Sequence, residues 1–165
     1  MFYKKMKKRT THLPLLYFAY GSNLHKEQMQ IRCPDSVPLC RATVYDYILT
    51  FRGNRRGVGV ADIIPTNKSQ VEGALYRVSL RDLRNLDRYE GYPTLYRRYP
   101  IEVETEDGIK EAFVYRMNEE FTFAPPYEKY FHTISEGYDH WGINEEDLLT
   151  ARQKVTNLIL GKKAN

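Results

Sequence analysis

Cysteine is scarce in this sequence, with Cys33 and Cys40 the only two among 165 residues. Neither sits in a Cys-x-x-Cys pair or a Cys/His cluster, so nothing calls for a disulfide framework or a thiolate metal site. Two free, partly buried thiols in a reducing cytoplasm are expected. Long apolar runs are also missing. Nothing approaches the roughly 20 residues of a membrane span. The apolar stretch 13–19 that follows the first basic residues contains Pro14 and has no small-residue cleavage site, so it reads as a strand rather than a leader. The four histidines, His12, His25, His132 and His140, lack metal-ligand spacing and are read as surface or packed residues. No repeat, linker or low-complexity tract divides the chain. Excess charge is small as well: 25 Lys and Arg against 21 Asp and Glu give +4. Lys5, Lys7, Lys8, Arg9, Lys162 and Lys163 at the two ends supply more than that excess. No RNA-binding motif interleaves them with aromatics, so neither nucleic acid nor membrane is expected as a partner.

What is abundant is tyrosine, fourteen residues in a chain that is 42% hydrophobic with a mean hydropathy of -0.61. That balance suits a globular chain with a solvated surface, read as one domain over 1–165 with a core at about 14–160 and a basic tail at 1–12. Strands are predicted at 15–20, 42–51, 58–64 and 71–78, and a hairpin at 96–105 and 109–117 across Glu106-Asp107-Gly108. Helices are predicted at 24–30 with Ser22 or Asn23 as N-cap, at 80–90, at 127–138 and at 145–160. The order argues for an α+β fold. Residues 53–59 lack the spacing of a phosphate-binding loop and read as a turn.

The helix at 80–90 has a legible phase, because Ser79-Leu80-Arg81-Asp82 resembles a capping box. Leu83, Leu86 and Glu90 then share one face, while Arg81, Arg84 and Arg88 share another that faces water. Glu90 continues an apolar stripe where Gly91 and Pro93 end the helix. It is either a solvated last turn, paired with Arg97 or Arg98, or a carboxyl at the core's edge. In the second case lost solvation raises its pKa toward the range useful for proton transfer near neutral pH.

Tyr20-Gly21-Ser22-Asn23-Leu24 follows the first apolar strand. Gly59-Val60-Ala61-Asp62-Ile63-Ile64-Pro65, Val71-Glu72-Gly73-Ala74-Leu75-Tyr76 and Leu86-Asp87-Arg88-Tyr89-Glu90-Gly91 come after it in that order. Together these segments resemble the γ-glutamylcyclotransferase (AIG2-like) superfamily. Pro125-Pro126-Tyr127-Glu128-Lys129-Tyr130 and the segment to Gly142-Ile143 resemble the C-terminal part of the γ-glutamylcyclotransferases proper. The resemblance implies a small mixed β-barrel flanked by helices, and a cavity between the Tyr-Gly-Ser-Asn loop and the family's glutamate, which falls on Glu90. It also implies conversion of a γ-glutamyl amide to 5-oxoproline and a free amine, with neither metal nor organic cofactor. The substrate's own α-amine is the tethered nucleophile in that reaction. Glu90 would be base and then acid. Backbone N–H groups of Gly21, Ser22 and Asn23 at a helix N-terminus would hold the carboxylate. Tyr20 would wall the cavity, with Leu24 closing the motif. Tyr96 and Tyr130 match substrate-orienting tyrosines by resemblance, and read equally as core aromatics with bonded hydroxyls.

The partner expected is a small γ-glutamyl compound, with a homodimer left open. The loops 52–57 and 91–95 are expected to border the leaving group, with Arg55, Arg56, Arg97 and Arg98 available to an acidic one. Three other readings remain: a specialised γ-glutamylamine cyclotransferase or deprotecting enzyme, a non-catalytic small-molecule-binding member of the fold, and an anionic-surface binder using its basic ends.

Overall fold

The five strands close on themselves, so none of them stands as the outermost strand of an open sheet. The structure, a computed structural model, describes residues 14–164. The expected basic tail lies outside the described residues. Strands β1 (Leu15–Ala19), β2 (Val37–Gly53), β3 (Gly59–Val78), β4 (Tyr96–Thr105) and β5 (Gly108–Met117) form a closed barrel in the order β1-β3-β2-β4-β5. Neighbours are antiparallel except where β5 meets β1, in parallel, at Tyr17 and Phe113. The barrel is therefore mixed, with helices α1 (Lys26–Arg32), α2 (Leu80–Tyr89), α3 (Glu128–Trp141) and α4 (Glu146–Lys163) outside it.

Two elements differ from the sequence expectation. Residues 58–64 and 71–78 are not separate strands but parts of β3, joined through a bulge. Tyr45 pairs with Gln70 and Tyr47 with Pro65, so Asp46 alone on β2 faces residues 66–69. Pro65 has no N–H to give a ladder and is tolerated beside such an irregularity. Asp46 and Lys68 both take φ 62°, and the Lys68 N–H donates to Asp46 Oδ1 at 3.1 Å, which replaces a lost ladder bond. The second difference lies after β1, where Ser22–Leu24 forms one 3-10 turn and α1 begins only at Lys26. His25, not Ser22 or Asn23, is the N-cap, its Nδ1 accepting from the Gln28 N–H at 3.3 Å.

Elsewhere the local rules hold. Ser79 Oγ accepts from the Asp82 N–H and Asp82 Oδ2 from the Ser79 N–H, completing the capping box of α2. Leu86 is fully buried on its inner face. Helix α3 lies close against the 3-10 turn because Gly137 has no side chain. A Cβ there would come within 2.8 Å of the His25 nitrogen and of Leu24. Trp141 Nε1 seals the contact by donating to the Leu24 carbonyl at 2.9 Å. Tyr127, the predicted first residue of the helix at 127–138, is the exposed N-cap of α3. Cys33 is buried and Cys40 exposed, both free. No described helix is long and apolar enough to cross a membrane.

One buried ion pair anchors the barrel wall. Arg52 Nη1 meets Asp62 Oδ2 at 2.9 Å, with the two side chains 9% and 1% exposed. Asp62 Oδ1 also accepts from the Met117 N–H at 2.9 Å, and Arg52 donates to the carbonyls of Asn118 and Phe121. The pair thus joins β2, β3 and the segment after β5. Asp62→Ala leaves the guanidinium buried without its counter-charge, so a loss of about 3 kcal/mol is expected. Urea denaturation of wild type and variant at pH 7 measures it; a loss below about 1 kcal/mol would mean that water reaches the pair.

Candidate active site

A strand end, a 3-10 turn and a helix end meet at one mouth of the barrel. Tyr17 and Tyr20 come from β1 and its end, Gly21, Ser22 and Asn23 from the turn, and Ala61 from β3. Glu90 caps α2, while Tyr96, Tyr115 and Tyr130 come from β4, β5 and α3. These ten residues enclose a narrow pocket with a volume of about 30 Å³, room for about one water. The side chains are closed in around their own polar groups. Larger concavities exist, one of about 690 Å³ between β1 and the β4–β5 hairpin. That groove has Leu15, Leu16, Ile101 and Phe113 in its lining and brings no enclosed carboxyl together with hydroxyls. The smaller pocket, with its enclosed carboxyl and hydroxyls, is the candidate active site.

Its centre is Glu90. Part of the residue remains in solvent at the helix end, but the carboxyl is enclosed, and burial pushes its pKa up to about 7 against the opposing Arg32 charge. Asn23 holds it: Nδ2 donates to Glu90 Oε1 at 3.3 Å and to the Tyr17 hydroxyl at 3.0 Å. The amide is oriented in turn by Arg32, whose Nη1 donates to Asn23 Oδ1 at 2.6 Å and to Ser22 Oγ at 3.1 Å. Since a guanidinium only donates, the amide atom facing it must be the oxygen, which sends the NH₂ toward Glu90. The alternative, Glu90 paired with Arg97 or Arg98, does not form. Arg98 sits on Asp87 at 3.0 Å.

The tyrosines divide into donors and acceptors. Burial raises the pKa of Tyr17, Tyr20, Tyr96, Tyr115 and Tyr130, so each stays a neutral phenol. Tyr20 gives its proton to the Tyr115 carbonyl at 2.6 Å, and Tyr96 gives its own to the Ala61 carbonyl at 2.6 Å. Both keep oxygen lone pairs for a ligand. Tyr130 accepts the Ala61 N–H at 3.0 Å and Tyr17 accepts from Asn23, so their protons remain to be donated. Gly21 lets Tyr130 and β3 crowd the turn, since a Cβ there would meet the Ala61 methyl at 3.1 Å.

Of the eight residues singled out by sequence, seven border this pocket: Tyr20, Gly21, Ser22, Asn23, Glu90, Tyr96 and Tyr130. Leu24 does not; it is fully buried beneath α3. The helix N-terminus expected to hold an anion at Gly21–Asn23 is corrected to one 3-10 turn, whose first N–H groups have no partner within it. Arg55, Arg56, Arg97 and Arg98 line none of it. His25, Glu27 and His140 place ligand atoms within 4.8 Å of one another, His140 coming from a distant part of the sequence. Each Nδ1 accepts a backbone N–H of the first turn of α1, which occupies a lone pair and leaves each Nε2 as the protonated nitrogen. The cluster suits a helix cap better than a cation.

Residues 17–139 match the family model described as gamma-glutamyl cyclotransferase, AIG2-like. The chain belongs to this family. A mouse gamma-glutamylcyclotransferase is 32% identical over 139 residues, 79% of this chain and 73% of the mouse protein. The human gamma-glutamylcyclotransferase is 30% identical over 136 residues, 78% of this chain and 72% of its own. A solved structure named gamma-glutamyl cyclotransferase superposes with a TM-score of 0.74 at 28% identity, covering 87% of each chain. The cyclotransferase barrel is thus this chain's fold.

Sequence reasoning missed Tyr17, Ala61, Tyr115 and Arg32. Tyr17 and Tyr115 stack edge to face at 5.9 Å and look like ordinary strand aromatics. Ala61 acts through its peptide, which no side-chain pattern reports. Arg32 ends α1, where a basic residue is normally read as a partner of the helix dipole.

The raised pKa of Glu90 has a stability consequence. Between about 4.5 and about 7 the native state binds more protons than the unfolded chain, so stability falls as pH rises through that window and levels above it. Glu90→Gln removes the cost of the buried charge. The variant should match wild type near pH 4 and exceed it above pH 7 by on the order of 1–3 kcal/mol, read from thermal melts across the range. Melting curves displaced equally at both ends would show that the carboxyl is solvated.

Proposed function

We propose that this chain converts γ-glutamyl amides, γ-glutamyl amino acids foremost, to 5-oxoproline and a free amine. The observation that carries the reading is one carboxyl with a pKa of about 7, enclosed with groups that donate or accept but do not themselves ionise at neutral pH. A base poised near the ambient pH takes a proton and returns it within one turnover.

Ionised Glu90 removes a proton from the substrate's α-ammonium. The freed amine forms a bond to the γ-carbonyl carbon, closing a five-membered ring, and the carbonyl electron pair moves onto oxygen. Protonated Glu90 then gives its proton to the departing amine nitrogen as the former amide C–N bond breaks. The oxyanion's electron pair re-forms the carbonyl as that bond breaks, and the ring nitrogen passes its second proton by way of Glu90 to the released amine, which leaves as an ammonium. The enzyme supplies no nucleophile because the substrate carries one. The free N–H groups of the 3-10 turn and the donors Tyr130 and Tyr17 suit the α-carboxylate and the oxyanion. Tyr20 and Tyr96, with lone pairs turned to the pocket, suit the ammonium. Asn23 keeps the Glu90 carboxyl on the ring-closing side. Because the pocket holds only about 30 Å³, substrate entry opens its mouth by moving side chains.

Release of 5-oxoproline from a panel of γ-glutamyl amino acids, glutathione and γ-glutamyl amines, followed by mass spectrometry, tests the reading. Wild type should turn over at least one compound, and Glu90→Gln should lose about 10²–10⁴-fold, the usual contribution of a general acid–base group. The acid limb of kcat/KM should rise to a plateau with a midpoint near 7, since only the ionised carboxyl accepts the ammonium proton. A folded wild type inactive on the whole panel would overturn the proposal.

A further inference from the structure

Beside the pocket, on the far side of Asn23, the C-terminal ends of α1 and α2 leave a shallow groove of about 420 Å³ lined by Arg32, Asn85, Arg88 and Tyr89. Arg32 is the wall it shares with the pocket, since the same guanidinium holds Ser22 and Asn23. Tyr89 precedes Glu90 directly. The Arg32 guanidinium carbon sits over the Tyr89 ring, 3.6 Å from its centre, and Nη2 donates to the Tyr89 hydroxyl at 2.7 Å.

The groove has a charge it does not neutralise. Among the described residues no carboxylate lies within ion-pair distance of Arg32 or Arg88. The nearby acids are committed elsewhere: Asp87 to Arg98 and the Tyr115 hydroxyl, Asp35 to Arg81 and Ser79. Arg32 Nε is buried without a hydrogen-bond partner, so the guanidinium is under-satisfied within the chain. Two helix C-termini contribute together about one negative charge, against two guanidinium groups. The balance remains positive.

We infer that this groove is the subsite for the leaving group and takes the α-carboxylate of an amino acid released from its γ-glutamyl amide. The inference rests on the proposed cyclotransferase reaction. The leaving nitrogen must lie at Glu90 to receive its proton, and an amino acid's carboxylate stands only one carbon beyond that nitrogen. Arg32 stands one side-chain amide beyond Glu90. A carboxylate leaving that nitrogen toward Arg32 meets Arg88 and Asn85 on the same wall, whereas a cationic amine meets two like charges. Arg88, which sequence phase places on a solvated face, is the specificity-determining residue, and Arg32 serves both the pocket and the groove.

The test is steady-state kinetics on γ-glutamyl-alanine and γ-glutamyl-alaninamide, which differ only in the terminal charge, with wild type and Arg88→Gln. Wild type should favour the carboxylate by about tenfold or more in kcat/KM, the effect of one charge-assisted hydrogen bond. The preference should reside in KM. Arg88→Gln should bring the ratio several-fold closer to one, and the ratio cancels any loss of folded enzyme common to both substrates. Equal turnover of the two compounds by wild type, or an unchanged ratio in Arg88→Gln, would overturn the subsite while leaving the reaction intact. Turnover of neither compound, nor of any other γ-glutamyl amide, would remove the reaction itself and the subsite with it.

Discussion

The hydrogen bond from Asn23 to Glu90 joins two parts of the chain 67 residues apart, and much of the mouth of the barrel is arranged so that it can form. A carboxyl enclosed among phenols loses solvation, and a single neutral amide donor only partly restores it. A fully ion-paired Glu90 would be fixed in its charged form, and a wholly apolar surrounding would fix it as the acid. Arg32 occupies the middle course. It stabilises the ionised form through space, yet its hydrogen bonds go to Asn23, Ser22 and Tyr89 rather than to the carboxyl. The result is a group that changes charge near neutrality without changing partners.

The rest of the pocket follows from closing a barrel with a long hairpin. Beyond Ala61 the far edge of β3 has no neighbouring strand, because β1 pairs only with its C-terminal part, 74–78. The Ala61 peptide would stand unpaired at the barrel mouth. Tyr96 takes its carbonyl and Tyr130 its N–H, so the sheet's own need for partners sets the hydroxyl polarity of two pocket walls. The two readings offered by sequence for these tyrosines, bonded core aromatics or ligand-orienting groups, are therefore not exclusive. Each hydroxyl spends one capacity on Ala61 and retains another.

How much of this was legible depended on the range of the interaction. The capping box of α2 is local, and once it sets the helix phase Glu90 falls on the inner stripe by periodicity alone. The strands and hairpin of β4 and β5 follow from alternation and a Gly turn. The cap of α1 was misjudged because Ser22 and Asn23 are better caps by type than His25, and tertiary contact overrode type: α3, admitted by Gly137, holds Leu24 and His25 where they are. The bulge of β3 reads from sequence as a break between two strands for a related reason, since Pro, Asn and Ser signal an interruption but not whether pairing resumes in the same strand. Arg32 was beyond reach. Its role comes from Asn23, Ser22 and Tyr89 converging on it, and nothing in the order of residues distinguishes it from the other arginines at helix ends.

That last failure bears on how specificity is built. Arginine is plentiful in this chain, and the loops flanking the motifs hold several, yet Arg98 is tied to Asp87 and stacked on Tyr92, and Arg55 and Arg56 stand on an exposed turn. A cation already paired offers a ligand little because binding must first break the existing interaction, and one that borders neither the pocket nor the groove is out of reach. Arg32 differs in being partly buried, stacked on one side and without a carboxylate partner, so a ligand carboxylate gains its attraction at low reorganisation cost. Arg88 adds charge at the same wall. The discriminating feature is therefore not how many basic residues lie near the pocket but which of them the fold leaves without a partner.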